Sequence, residues 1–426
     1  MMKLEMGMFF SDSTSRRRFL RSSIGGATAV GIGAAIPDCF LQASERALHA
    51  SERILVVVQM TGGNDGLNTV IPYANDDYRS ARPKLAIPDA DVLKCSDELG
   101  FHPSMSSMRQ LFEDGKMTVV CGVGYDQPNR SHFESMDIWH TCRRKNELRD
   151  DGWLGRFLAT QDRPVGGDVL ALHLGQEKQP FALASNRVRV PTIRELAEFQ
   201  LRGQKGKALS RFLTKSVEQA PAQSDDLLKF LQSSTASALE ASQRVTEASQ
   251  DYRSELRYPE TSLGKKLRVI AQLIDAGLST RVYYVQLDGF DTHANQPNTH
   301  AILLREWSDA VSTFIRDLEG HHHGDRVCVM TFSEFGRRVA ENASQGTDHG
   351  AAGPMFLCGG GLVPGIIGGY ASLTDLQDGD LKHQTDFRQV YAAVLRSWLG
   401  VDPAAILGGQ YAPLPLFASM ADPTLG

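Results

Sequence analysis

The feature that most limits how this chain can fold is a series of short, almost wholly apolar runs, each followed at once by polar turn residues. The runs occupy residues 54–60, 117–123, 282–287 and 327–331. Apolar runs of this length, bounded by turn residues, are typical of strands that are buried on both faces of a parallel sheet. The sequence therefore predicts an α/β fold in which a mostly parallel central sheet is flanked by helices.

Acidic residues and histidines follow three of these runs, or stand just before the next apolar run at residues 354–358. The candidate metal ligands are Asp65, Asp291, His293, Glu334, Asp348 and His349. In open α/β sheets, ligands bind at the carboxyl ends of the strands. Aspartate, glutamate and histidine are side chains that bind zinc, manganese or magnesium. The pattern predicts a divalent-metal site, with zinc favoured and manganese, magnesium or calcium as alternatives.

A structural role is the alternative for each acidic residue taken by itself. An aspartate after a strand often caps the next helix or forms an Asx turn. Asp65 follows Gly62 and Gly63, which allow the backbone to turn sharply and to approach a ligand closely, but a glycine-rich turn is a weak signal by itself. Two clusters at successive strand ends, each pairing an acidic residue with a histidine, favour the metal site.

Residues 129–133 precede a predicted helix and allow two interpretations of Ser131. In the first, Ser131 is the helix N-cap and Glu134 completes a capping box through the Ser-x-x-Glu spacing. In the second, Ser131 is a catalytic nucleophile activated by the metal, while Arg130 and the helix dipole hold an anion. The local sequence leaves both interpretations open.

The composition is that of a globular protein with a full core, since 42% of the 426 residues are hydrophobic and 22% are charged. The net charge of −5 gives no reason to expect a nucleic-acid partner. We expect residues 51–426 to form one large domain. Residues 195–257 are rich in Gln, Ser, Ala, Lys and Glu, which predicts a helical insertion that acts as a lid or as a partner-binding surface.

The N-terminal residues 1–50 have the pattern of an export signal and its flank. The arginines 16–18, followed by Phe19 and Leu20, precede an uncharged run at residues 24–36 that is too short to span a bilayer comfortably. This arrangement matches a twin-arginine signal. It predicts export of the folded protein to the periplasm or beyond, with the twin-arginine translocase as a transient partner and no transmembrane span in the mature protein.

Several motifs in combination carry a family resemblance. They are the twin-arginine leader, the turn at residues 59–66, and the segments 129–133, 290–293, 333–337 and 385–388. Together they resemble a large bacterial family of exported proteins that is catalogued as a domain of unknown function, number 1501. That family in turn looks like a branch of the alkaline phosphatase and sulfatase superfamily, which implies a central mixed sheet flanked by helices.

The resemblance also implies roles for particular residues. It implies a metal ligand at Asp65, after the first strand, and a nucleophile at Ser131, at the start of a helix. It further implies metal ligands at Asp291 with His293, and at His349.

The chain departs from that superfamily after the next strand. Where Ser-Asp-His-Gly is usual, residues 333–336 read Ser-Glu-Phe-Gly. Glu334 can bind a metal, but Phe335 cannot. Either Asp348 supplies the missing ligand, or one of two metals is absent, or the site is degenerate.

From these observations we expect an exported metal-dependent hydrolase of phosphate or sulfate esters, with a serine or a metal-bound water as its nucleophile. Its substrate would be a small-molecule or polymer ester. One alternative is a non-catalytic envelope protein that keeps the fold and uses the 195–257 insertion to bind a partner or a cell-wall polymer, and a second is a metal-binding chaperone for another exported protein. The histidines 321–323 are interpreted as a solvated loop that could scavenge metal in an assay.

Overall fold

The computed structural model describes residues 53–162, 168–193, 252–369 and 372–418. All of them belong to one structural unit, His49–Gly426. The leader predicted for residues 1–50 lies outside the described residues, and so do residues 195–251 of the predicted helical insertion.

The strands of the described residues form two sheets. They are β1 (Ile54–Thr61), β2 (Val70–Ile71), β3 (Leu93–Lys94), β4 (Gly100–Phe101), β5 (Met117–Gly124), β6 (Ala171–Leu174), β7 (Thr192–Ile193), β8 (Val282–Asp288), β9 (Val327–Ser333), β10 (Gly353–Gly359), β11 (Gly365–Ile367) and β12 (Thr385–Asp386). The apolar runs at residues 54–60, 117–123, 282–287 and 327–331 are strands β1, β5, β8 and β9. They form strands because β-branched and aliphatic side chains pack well on a pleated surface that is buried on both sides.

The central sheet has nine strands in the order β11-β5-β10-β9-β1-β8-β6-β7, and β12 pairs with β5. Strand β1 pairs in parallel with both β8 and β9. Among the described strands of this sheet, only β10 runs antiparallel to its neighbours β9 and β5. The predicted α/β fold with a mostly parallel central sheet is therefore confirmed. Strands β2, β4 and β3 form a separate three-stranded antiparallel sheet.

Helices cover both faces of the central sheet. They are α1 (Gly66–Thr69), α2 (Asp76–Ala81), α3 (Ser106–Glu113), α4 (His132–Thr141), α5 (Trp153–Ala159), α6 (Ser262–Asp275), α7 (Gln296–Gly320), α8 (Phe387–Ala393) and α9 (Pro403–Leu407). The 3₁₀ turns are Pro103–Met105, Phe181–Leu183 and Gly324–Arg326, and Val394–Trp398 is a π-helical turn that continues α8. In the part of the chain that is described, each helix is either too short or too polar to cross a lipid bilayer.

The two faces of β1 belong to two different cores. Val56 and Val58 pack with α3, α6 and α7 on one face of the sheet. Leu55 and Val57 pack with α4, α5 and α8 on the other face. This division follows from the two-residue period of a strand, which directs successive side chains to opposite faces.

The carboxyl ends of β1, β8 and β9 lie side by side. In the sheet register, Thr61 is opposite Asp288, and Met60 is opposite Ser333. The loops that leave these strands therefore start from one edge of the sheet. Because β10 runs antiparallel to β9, the segment that leads into β10 reaches the same edge. This edge is where the sequence places its acidic residues and histidines.

Candidate metal centre

Three histidines and one aspartate meet at this edge of the sheet. His132 is the first residue of α4. Asp291 and His293 lie in the loop between β8 and α7, and His349 lies just before β10. Three segments that are distant in sequence thus deliver four side chains that can bind a metal. We call these four residues the His/Asp cluster.

Asp291 lies at the centre of the His/Asp cluster. Its Oδ1 atom is 3.4 Å from His132 Nε2, 3.1 Å from His293 Nε2 and 3.1 Å from His349 Nε2. The Nε2 atoms of His293 and His349 are 2.9 Å apart. One donor atom each from His132, Asp291 and His349 all lie within 4.8 Å of one another.

These distances fit a single metal ion. Two ligands of a tetrahedral zinc ion are about 3.3 Å apart when the bonds are about 2.0–2.1 Å long. His132 Nε2 is buried and has no hydrogen-bond partner, as expected of a nitrogen that is directed at a cation. The Nε2 atoms of His293 and His349 can lie this close only when a proton or a cation lies between them. The donors present therefore fit a divalent ion, and the imidazoles favour zinc.

Glu334 fixes the orientation of His132. Glu334 Oε1 lies 2.8 Å from His132 Nδ1 and accepts the backbone N–H of Gly62 at 2.9 Å, while Oε2 accepts the Ser333 hydroxyl at 3.0 Å. The Glu334 side chain is completely buried, and its hydrogen bond raises the pKa of His132. Because Nδ1 of His132 is held by Glu334, Nε2 points to the cluster. Carboxylates commonly orient metal-bound histidines in this way.

The other two histidines are also held through Nδ1. His349 Nδ1 lies 2.8 Å from the carbonyl oxygen of Arg130, and His293 Nδ1 lies 3.4 Å from Asp348 Oδ1. Burial lowers the pKa of His349, which keeps its ring neutral and able to bind a metal near neutral pH.

Replacing Glu334 with glutamine should weaken zinc binding by about 10- to 100-fold. Glutamine has nearly the same size as glutamate, but it lacks the negative charge that makes the His132 ring more basic. The measurement is a competition titration of zinc against a chromophoric chelator, with circular dichroism to check the fold. Glu319→Gln, which removes a surface ion pair with Lys116, is the matched control. Native zinc affinity in Glu334→Gln would contradict the role of Glu334.

Arg337 ties the loops around the cluster together. Its side chain is completely buried and donates to Asp291 Oδ1 at 2.7 Å. It also donates to the backbone carbonyl oxygens of Gly62, Gly63, Phe290 and Thr347. Burial acts to raise the pKa of Asp291, but hydrogen bonds from Arg337 and His349 outweigh it and lower that pKa to about 2. Asp291 is therefore ionised near neutral pH.

Phe335 forms one wall of the His/Asp cluster. Its ring centroid is 4.9 Å from that of His132 and 4.8 Å from that of His349, and the residue is only 3% exposed. The ring has no atom that can bind a cation, but it keeps water away from this side. The cluster is open to solvent at Asp291 and His293, whose side chains are 49% and 45% exposed.

Asp65 lies apart from the cluster. Its Oδ2 atom accepts Arg82 Nη1 at 2.6 Å and Gln296 Nε2 at 2.5 Å. The side chains of Asp65 and Arg82 are both completely buried. Burial acts to raise the pKa of Asp65, but the charge and hydrogen bond of Arg82 bring it below its usual value. The ion pair balances the charge of this carboxylate, whose side-chain partners in the described residues are Arg82 and Gln296 and not the four residues of the cluster.

The fold brings together three of the six predicted ligands, Asp291, His293 and His349. Glu334 and Asp348 lie further out, where their carboxylates contact the Nδ1 atoms of histidines instead of the centre of the cluster. His132 was absent from the predicted ligands and yet lies at the centre. The signal that could have identified it was its place beside Ser131, at the start of a helix that follows a buried strand.

Ser131 occupies the N-cap position of α4, but its side chain makes no capping hydrogen bond. The residue is exposed. Glu134 forms an ion pair with Arg149 at 2.5 Å, so the capping box that the Ser-x-x-Glu spacing predicts is not formed. The hydroxyl of Ser131 is therefore not committed to the helix end, and it lies one residue from His132.

Arg130 is held by Asp380. Its Nε and Nη2 atoms lie 2.8 and 2.6 Å from Asp380 Oδ2, and the Asp380 side chain is only 2% exposed. The charge of Arg130 is thus balanced within the protein. Its visible contribution to the cluster is the carbonyl oxygen that holds His349.

A family model described as a protein of unknown function, DUF1501, matches residues 52–410. The chain belongs to the DUF1501 family. This confirms the family resemblance expected from the sequence. No curated protein matches this DUF1501 chain.

Solved structures of the alkaline phosphatase superfamily are similar to this DUF1501 chain. A protein of that superfamily from Vibrio parahaemolyticus is 9% identical, with 84% of this chain and 69% of that chain covered and a TM-score of 0.41. A lipoteichoic acid synthase from Listeria monocytogenes is 11% identical, with 86% and 77% covered and a TM-score of 0.40. A sulfatase from Pseudoalteromonas sp. is 11% identical, with 86% and 72% covered and a TM-score of 0.38. At such low identities and TM-scores, nothing about the activity of this chain follows from them.

Proposed function

We propose that this protein is an exported hydrolase that uses one divalent metal ion to cleave phosphate or sulfate esters. The observation that carries the proposal is the convergence of His132, Asp291 and His349, with the Nδ1 atoms of both histidines held by other groups. The fixed rings direct Nε2 atoms and a carboxylate oxygen at one point. Structural ion pairs do not require two imidazole rings and a carboxylate to be fixed so that their donor atoms point at one place.

Zinc is the ion that this donor set favours. Two imidazole nitrogens and one carboxylate oxygen are common ligands of catalytic zinc, and three protein ligands leave a position open for substrate or water. Magnesium and calcium prefer oxygen ligands, so they fit the histidines less well, while manganese remains an alternative. When bound, a divalent ion lowers the pKa of a coordinated water or hydroxyl and neutralises the charge of an ester.

Ser131 is assigned as the nucleophile. Its hydroxyl makes no capping hydrogen bond, and it stands beside the ligand His132 at the N-terminus of α4. The free N–H groups of that helix terminus carry a partial positive charge that attracts an anion. They would bind the phosphate or sulfate group, in place of Arg130, whose charge Asp380 already balances.

His293 is assigned to proton transfer at the open side of the cluster. It is half exposed, and its Nε2 atom lies 3.1 Å from Asp291 Oδ1. Asp348, at 3.4 Å, orients its Nδ1 atom. A histidine in this position can give a proton to the leaving group of the ester and recover it from water.

The proposal includes the compartment in which the protein acts and the kind of ester on which it acts. A twin-arginine leader would carry the folded, metal-loaded protein through its translocase to the periplasm or beyond. There it would act on a small-molecule or polymer ester.

Ser131→Ala should reduce ester turnover to below about a hundredth of the native rate, while zinc content stays native. The alanine removes the nucleophile but leaves His132 and its contacts unchanged. The measurement is turnover of nitrophenyl phosphate, bis-nitrophenyl phosphate and nitrophenyl sulfate by zinc-loaded protein, with metal analysis of the same samples. Ser80→Ala, at an exposed serine of α2, is the control. Turnover that survives in Ser131→Ala would remove the serine from this role, and no turnover by native protein would end the hydrolase proposal.

A non-catalytic envelope protein is the second candidate, and the position of His293 favours it. If His293 completes the metal shell as a fourth ligand, the ion has no open position, which is the state of a structural zinc site. The protein would then bind a partner or a cell-wall polymer. X-ray absorption of the zinc-loaded protein separates the two candidates, because a structural site has four protein ligands and the proposed hydrolase has three ligands and a solvent oxygen.

A further inference from the structure

One aromatic side chain beside the His/Asp cluster is left in solvent. Phe133 is 86% exposed. The other large apolar side chains that the described residues expose are Leu148, Leu256, Ile302 and Val363, at 75%, 40%, 63% and 39%. Phe133 is therefore the most exposed member of this group and its only aromatic one. An exposed phenylalanine forgoes the favourable transfer of its ring out of water, so a ligand that covers it would gain that contribution.

The position of Phe133 links it to the proposed reaction. Ser131 is the N-cap of α4, His132 is its first residue and Phe133 is its second. Consecutive Cα atoms are about 3.8 Å apart, so the candidate nucleophile, a metal ligand and the exposed ring lie on one helical turn. A ligand whose anionic group lies at the cluster can place an attached ring against Phe133.

Residues on both sides of Phe133 in the first turn of α4 have hydrogen-bond or ion-pair partners. Asn129 Oδ1 accepts the backbone N–H of Ser131 at 2.8 Å, and the backbone N–H of Asn129 donates to the Tyr125 hydroxyl at 3.0 Å. Glu134 is paired with Arg149. The ring is thus presented from an ordered backbone, which lowers the entropy cost of binding a ligand there.

We propose that Phe133 determines specificity by stacking on the ring of an aryl ester whose anionic group lies at the His/Asp cluster. This inference rests on the proposed function and narrows its substrate class to phosphate or sulfate esters of aromatic alcohols. Aromatic rings prefer offset-stacked or edge-to-face contacts, and an open phenylalanine face offers both. Phe133 acts on binding of the leaving group and does not hold the metal.

The test compares two anions that differ only in the ring. Binding of phenylphosphonate and of methylphosphonate to the zinc-loaded full chain is measured by isothermal titration calorimetry, for the native protein, Phe133→Ala and Phe133→Trp. Native protein should bind phenylphosphonate roughly three- to tenfold more tightly than methylphosphonate. Phe133→Ala should lose this preference with methylphosphonate affinity and zinc content unchanged, and Phe133→Trp should keep it. Ile302→Ala, at an exposed apolar residue of α7, should behave like native protein.

The outcomes separate this inference from the proposed function. If native protein binds phenylphosphonate more tightly than methylphosphonate, Phe133→Ala does not, and no ester is turned over, the binding role of Phe133 is supported and the hydrolase proposal is wrong. If esters are turned over but native protein binds both anions equally, the inference is overturned and the hydrolase proposal stands. The same follows if Phe133→Ala still binds phenylphosphonate more tightly than methylphosphonate. If native protein binds neither anion, the inference is overturned as well, and a contact of Phe133 with a protein partner becomes the explanation to test.

Discussion

Asp291→Ala is expected to reduce bound zinc from about one ion per chain to below about a tenth of an ion. Asp291 Oδ1 contacts all three histidines of the cluster, so its loss removes the anionic ligand. It also leaves the buried Arg337 without its carboxylate partner, and that cation repels a metal ion. The measurement is metal analysis of the purified protein by plasma mass spectrometry.

Two controls make the result specific. Residues 321–323 are changed to alanine in every sample, because three successive histidines, of which His322 is exposed, can bind metal in an assay. Asp288→Ala is the matched variant, since Asp288 lies at the end of β8, only three residues before Asp291, but is exposed and outside the cluster. Native protein without metal, or equal metal in native protein and Asp291→Ala, would end the metal proposal and would move the search to protein partners.

Arg82→Ala is expected to lower the free energy of unfolding by about 3–5 kcal/mol. Arg82 is completely buried and pairs with the equally buried Asp65. Its other donors reach Asn68 Oδ1 and the backbone carbonyl oxygens of Arg338 and Val339. The alanine variant leaves the Asp65 charge in the interior without its partner. Urea unfolding of metal-free protein measures the change, because chelation removes any contribution from metal binding.

The double variant Arg82→Met with Asp65→Asn tests the reason for this loss. It removes both charges and keeps most of the volume, so it should be more stable than Arg82→Ala. If Arg82→Ala costs less than about 1 kcal/mol, the buried pair does not stabilise the fold. A double variant that is less stable than Arg82→Ala would show that the hydrogen bonds, and not the charge of Asp65, dominate.

The sheet could be predicted from the sequence because its central strands are buried on both faces. Such strands read as apolar runs: seven of the eight residues of β1 and all eight residues of β5 are buried. The order of the strands could not be read in this way. Whether β10 runs parallel or antiparallel depends on where distant segments pair, and no local pattern records that.

The residues of the cluster could be predicted in part for a related reason. Asp291 and His293 follow a strand directly, and His349 precedes one, so their positions are fixed by the sheet edge. Asp65 has the same placement in sequence, but its charge is taken up by Arg82, seventeen residues later. Sequence spacing does not reveal which carboxylate a buried arginine will neutralise.

The sequence could not show which residue would be a candidate metal ligand and which would orient such a ligand. Glu334 contacts His132 at 2.8 Å on the side of the ring that faces away from the cluster. A few ångströms of side-chain placement decide between the two roles. The same holds for Ser131, where Glu134 turns to Arg149 and so leaves the predicted capping box unformed.

The carbonyl oxygens that Arg337 contacts come from loops that follow different strands. Those loops are joined by long stretches of chain, so they meet only after β1, β8 and β9 have paired, and closing such distances costs chain entropy that only the assembled sheet repays. If the His/Asp cluster binds a metal as proposed, a partly folded molecule would lack the assembled site, and metal uptake would come late in folding. The ratio of metal to protein would then report the fraction of correctly folded molecules in a preparation. A core variant with a lower ratio would have a folding defect, even though every proposed ligand is intact.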